Sequence, residues 1–148
     1  MNGRIDDSRR SSNPIATLPL RLLPGDDLRR SLEQAAVARG WDAAFVIAGI
    51  GSLRPAAIRF AGAPEATVID ADVEMLSLSG SLSRSGAHLH MAVSDAAGQV
   101  LGGHVAYGCS VRTTAEVLVV LLPDWHFSRE PDARTGFAEL LVSPRAAG

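Results

Sequence analysis

An α+β domain made mainly of antiparallel β-sheet, with one or more flanking helices, is the fold class this sequence predicts. Three observations predict it. Many apolar runs rich in Val, Ile and Leu alternate with Gly, Pro and Asp turn signals, one segment alone has clear helical spacing, and no internal repeat is visible. The 148 residues suit a single domain, and the hydrophobic (47%) and charged (20%) fractions are globular values. Aromatics make up only 5%, so the core must come from Leu, Val, Ile and Ala. A net charge of −2 argues against the broad basic surface of non-specific nucleic-acid binders. No apolar run reaches the length of a membrane span, and no apolar stretch follows the early arginines, so neither a membrane segment nor a secretory signal is expected. A lone cysteine, Cys109, excludes an internal disulfide and suits a reducing, cytoplasmic setting.

Residues 1–14 are polar and read as a flexible N-terminal arm, in which Arg9 and Arg10 could touch an acidic partner. One domain is expected over 15–143, with a short tail at 144–148. Ile15 to Leu23 is apolar, and Pro19 in it favours a sheet edge or the start of a strand. Pro24-Gly25-Asp26-Asp27 reads as a turn entering a helix. Leu28, Leu32, Ala35 and Ala36 then recur at helical spacing, with Arg29, Arg30, Glu33 and Gln34 mostly on the other side, and Gly40 stops the helix.

Ala43 to Ile50 is a strand candidate running into Gly49-Ile50-Gly51, where close packing explains the glycines better than a phosphate loop. Ala57 to Phe60 and Ala66 to Asp70 are short strands. Val73 to Leu82 alternates, but its apolar parity switches at Met75-Leu76, the mark of a bulge or of a strand buried on both faces. Val111 to Leu122 and Phe137 to Val142 are further strands, and the stretch after Leu122 reads as loop.

The sharpest chemical signal is His88-Leu89-His90 followed by His104, with a turn midway. Asp95-Ala96-Ala97-Gly98 suits a type I turn with Gly98 left-handed, a standard hairpin connection. That turn sets His90 opposite His104 and His88 opposite Ala106, so three imidazoles share one face. The other face, with Leu89, Met91, Val93, Leu101 and Val105, should be core. Three neutral imidazoles suit Zn²⁺ with a fourth position open, and iron, nickel or copper would also accept them. A hydrogen-bonded polar cluster or an assembly feature would use the same residues. Glu74 and Glu116, flanked by apolar residues, and Arg59 are candidate catalytic groups, with structural pairing to Arg59, Arg84 or Arg112 as the plainer role for the acids. His126 beside Trp125 reads as surface.

Glu74 to Ser83, Gly86 to His90, Gly98 to Val105 and Thr114 to Val117, together with the earlier Phe45 to Leu53, resemble the plants-and-prokaryotes-conserved (PPC) domain. The resemblance covers about residues 17–143. It implies an α+β fold with an antiparallel sheet, a homotrimer, and a stand-alone protein acting as a DNA-binding or transcription-associated regulator. Plant members carry an Arg-Gly-Arg-Pro hook for DNA. Here Arg9, Arg10, Arg29 and Arg30 lack the glycine and proline frame of that hook. The fold is also similar to that of acetolactate decarboxylase, and by that likeness His88, His90 and His104 carry over as zinc ligands. Two functions follow as expectations: a regulator carrying a three-histidine zinc site, or a zinc-dependent enzyme or binder of small carboxylates or esters.

Overall fold

The computed structural model describes residues 15–146. The expected arm at 1–14, with Arg9 and Arg10, lies outside the described residues, as do 147 and 148 of the tail. The elements in chain order are β1 (Ala16–Leu22), α1 (Leu28–Arg39), β2 (Ala44–Leu53), β3 (Ala56–Arg59), β4 (Thr67–Ile69) and β5 (Val73–Ser83). They continue as β6 (Gly86–Ser94), β7 (Val100–Val105), β8 (Val111–Leu121), β9 (Trp125–Asp132) and β10 (Phe137–Pro144). Eight strands form one sheet in the order β1-β8-β2-β5-β6-β7-β3-β4, and β9 pairs with β10 in a second, two-stranded sheet. All these pairings are antiparallel. Among the described residues no helix is long and apolar enough to cross a membrane.

Pro19 sits where its missing N–H is tolerated, on β1 at the sheet edge. The helix ends where its caps require. Asp27 accepts from the Arg30 N–H at 2.9 Å, and Gly40 closes the last turn at φ 65°. Leu28, Leu32 and Ala36 are buried, and the helix lies against β5 and β6. Leu78, Leu82, Leu89, Met91, Val93, Val105 and Val119 complete the core, so the sheet turns one apolar face to the helix.

The parity switch in β5 is a bulge. Pairing with β6 passes from Met75–Val93 to Ser77–Ala92, which leaves Leu76 unpaired and half exposed. Close packing also accounts for Gly49: a Cβ there would lie 2.7 Å from Leu78 Cβ. Cys109 is fully buried, and burial pushes its thiol up to about 11.

One expectation needs correction. The stretch read as loop after Leu122 contains β9, paired with β10 from Trp125–Pro144 to Asp132–Phe137. Arg129, Glu130 and Pro131 hide any clean alternation, so only the partner strand reveals it. Phe127 anchors this hairpin to the main sheet by an edge-on contact with Phe45, ring centroids 5.7 Å apart.

Candidate metal centre

The site starts from the turn. Asp95 Oδ1 accepts the N–H groups of Ala97 and Gln99, each at 2.9 Å, and Gly98 takes φ 76°. That closure puts β6 and β7 in step from Ser94–Val100 to His90–His104, as the sequence predicts. His88 opposite Ala106 is not realised. Pairing stops at His90–His104, and the Ala106 N–H donates instead to Ala57 O at 3.1 Å.

A side chain fills the gap where the strands part. Arg29 on α1 donates to Ala87 O at 3.1 Å and to Val105 O at 3.2 Å, two carbonyls that a longer ladder would have satisfied. Its Nε donates to Glu33 Oε1 at 3.0 Å. Glu33 also accepts from the Ala87 N–H and from the Tyr107 hydroxyl, the latter at 2.7 Å. The Tyr107 ring lies 4.5 Å from the Arg29 guanidinium. Together these contacts fix the helix to the end of the hairpin that carries the histidines.

The three imidazoles converge. Ring centroids are 5.0 Å apart for His88 and His90, 5.1 Å for His88 and His104, and 5.7 Å for His90 and His104. Nε2 of His88 and Nε2 of His90 are 3.2 Å apart, and the potential ligand atoms of all three lie within 4.8 Å of one another. Two nitrogens bound tetrahedrally to zinc would stand about 3.3 Å apart, given Zn–N bonds of about 2.0–2.1 Å. The first pair is already at that separation, and the third ring's nitrogen lies within 4.8 Å of both.

The electrostatics keep the lone pairs available. Burial, then His88 and Arg29, pushes His104 down to about 4. Burial first, then Arg129 and His90, also lowers His88. Both rings are therefore neutral near pH 7, the form that ligates metals. Among the described residues His104 Nδ1 is buried with no hydrogen-bond partner, and its Nε2 has a 3.4 Å contact to Arg29 Nη1. A half-buried ring with one nitrogen unpartnered among the described residues, grouped with two others, is chemically suited to a divalent ion.

Arg59 joins this site: it lies directly opposite His104 in the β3–β7 register. Glu74 and Glu116 do not. Glu74 pairs with Ser94, four residues past His90 and so about 13 Å along the strand, while Glu116 pairs with Ile50 and Arg21. Both acids are exposed and line a separate depression with Ser52 and Thr113. The expected arginine partners are engaged elsewhere, Arg84 with Asp42 and Arg112 with Asp72. His126 is at the surface, its Nδ1 4.0 Å from Asp42.

Three groups at the site were not foreseen. Arg29, Arg129 and Glu139 line, with His88, His104 and Arg59, a cavity of about 800 Å³. An i,i+4 Arg29–Glu33 pair is readable in the helix, but its direction toward the histidines is not.

The family model described as the Plants and Prokaryotes Conserved (PCC) domain matches residues 9–123. Two curated relatives, each called bifunctional protein GlmU and each from a strain of Synechococcus sp., are 44% and 46% identical over 128 residues, or 86% of this chain. The chain spans about one fifth of their length, 20% and 21%. Among solved structures, a hypothetical protein from Salmonella cholerae-suis is 39% identical with a TM-score of 0.88, covering 93% of this chain and 100% of that one. A metal-containing protein from Archaeoglobus fulgidus is 30% identical with a TM-score of 0.73, covering 85% and 93%. A protein from Ralstonia eutropha, named as a candidate DNA-binding protein, is 26% identical with a TM-score of 0.70, covering 82% and 88%.

Proposed function

The chain belongs to the Plants and Prokaryotes Conserved domain family, and from that premise we propose that it holds one divalent metal ion, zinc, on His88, His90 and His104. The observation that carries this reading is the convergence of three imidazole nitrogens within 4.8 Å, two of them neutral by environment. The metal-containing protein of Archaeoglobus, similar over most of both chains, adds support. Zinc held by three imidazoles supplies Lewis acidity at an open fourth position. The chain's own contribution is orientation: Arg29, pinned by Glu33, packs against His104 and closes the splayed end of the hairpin. Protein purified without an affinity tag, exposed to zinc and dialysed, should retain about one zinc per chain. A zinc-free product would remove the proposal.

A second reading is association with DNA as a trimeric regulator. The name of the Ralstonia protein favours it, and the exposed Phe45, Ile47, Ile50 and Leu76 offer an apolar surface for self-association. The net charge of −2 weighs on the other side. In a shift assay at low salt, this reading expects retardation of a duplex that fades as salt rises, by a species three times the chain mass in light scattering. A duplex left unshifted at low salt rules it out.

A further inference from the structure

The cavity beside the histidines holds more positive charge than the protein itself answers. Arg29 is spent, its guanidinium divided among Glu33, Ala87 O and Val105 O. Arg59 and Arg129 are not. Among the described residues Arg59 makes one long contact, 3.4 Å to Ala63 O, and Arg129 one bond, 2.8 Å to Ser81 Oγ, although each guanidinium has five N–H donors. The two arrive from different elements and flank the cluster. Arg59 stands opposite His104, and Arg129 holds Ser81, the cross-strand neighbour of His88. Their fields reach the imidazoles, Arg129 acting on His88 and Arg59 on His104. Glu139 is the one carboxylate lining the cavity among the described residues. Two open guanidiniums against one acid leave an excess of positive charge, and a divalent ion on the histidines would enlarge it.

We propose that this cavity binds a small organic oxyanion, a carboxylate or a phosphate, through Arg59 and Arg129 beside the histidine cluster. Guanidinium forks match both groups in planar, charge-assisted pairs. Pro64, Ala63 and Phe137 on the cavity wall would meet the apolar body of such a ligand. The proposal deepens the metal reading and rests on it for full affinity, since the ion and the arginines would share one negative ligand.

The test uses cobalt in place of zinc, because its visible absorption reports the ligands around it. Cobalt-loaded protein is titrated with malonate and, separately, with inorganic phosphate. A saturable change in the cobalt band with malonate identifies a carboxylate ligand, and with phosphate a phosphate ligand. The Arg59→Ala/Arg129→Ala double variant, with metal content measured separately, should bind the effective anion at least about tenfold more weakly, the loss expected when charged hydrogen bonds are removed. Arg59→Lys in the Arg129 background should lose less. A cobalt band that neither anion moves, or a double variant that binds as tightly as the parent, overturns the oxyanion site while sparing the metal reading. If no cobalt band forms, the metal reading fails instead. Calorimetry on metal-free protein with the same two anions then decides the oxyanion site, arginine-dependent heat supporting it and absent heat ending it.

Discussion

Replacing His104 with alanine lowers zinc affinity at least about 100-fold, because loss even of a group that merely orients a ligand costs about 10–100-fold. Among the described residues His104 is the cluster's one member from β7, so the variant leaves two imidazoles on one strand, too few for the proposed tetrahedral set. Competition with a chromogenic chelator measures the change directly. His126→Ala is the matched control, since that ring stands at Asp42 rather than in the cluster. The metal-free His104→Ala protein should keep nearly the parent melting temperature: the ring is half-buried, and its Nδ1 has no bond to lose. Parent-like zinc affinity in His104→Ala would end the three-histidine assignment.

Gly80→Ala should be the most destabilising single substitution considered, by about 3 kcal/mol or more, lowering the melting temperature by roughly 10 °C. Gly80 lies in the middle of β5, opposite Leu89 and thus between the partners of His88 and His90. Its φ is 150°, and an added Cβ would fall 1.9 Å from His88 O and 2.8 Å from Leu89 Cα. Both obstacles are backbone, which cannot rotate aside as a side chain can. The strands must part, and the segment that moves carries two of the three imidazoles. Zinc affinity should therefore fall together with stability, and calorimetry with and without zinc reads both. An unchanged melting temperature would show that the β5–β6 contact is looser than described.

Much of this architecture is legible in the chain. Asp27 and Gly40 bracket the helix, and Asp95 with Gly98 sets the hairpin register that places His90 opposite His104. The bulge at Leu76 announces itself as a change of parity. What is not legible has a common cause. Glu74 and Glu116 look costly among apolar neighbours, yet both are exposed, since an alternating strand on a one-sided sheet turns every second residue to solvent. Arg29 and Glu33 fall on the polar side of the helix, but long side chains at the edge of an apolar stripe reach past it, here to the end of β6.

The sequence by itself determined the α+β class, the helix, the turn and the shared face of the three histidines, because caps, turn residues and the two-residue strand period act over a few neighbouring positions. Only the tertiary structure decided what surrounds those rings. Arg29, Arg59 and Arg129 come from a helix, a short strand and a separate hairpin, and they meet at the histidines through a strand order in which chain neighbours are often not sheet neighbours. Charge gathered from such distant segments has no local period to announce it.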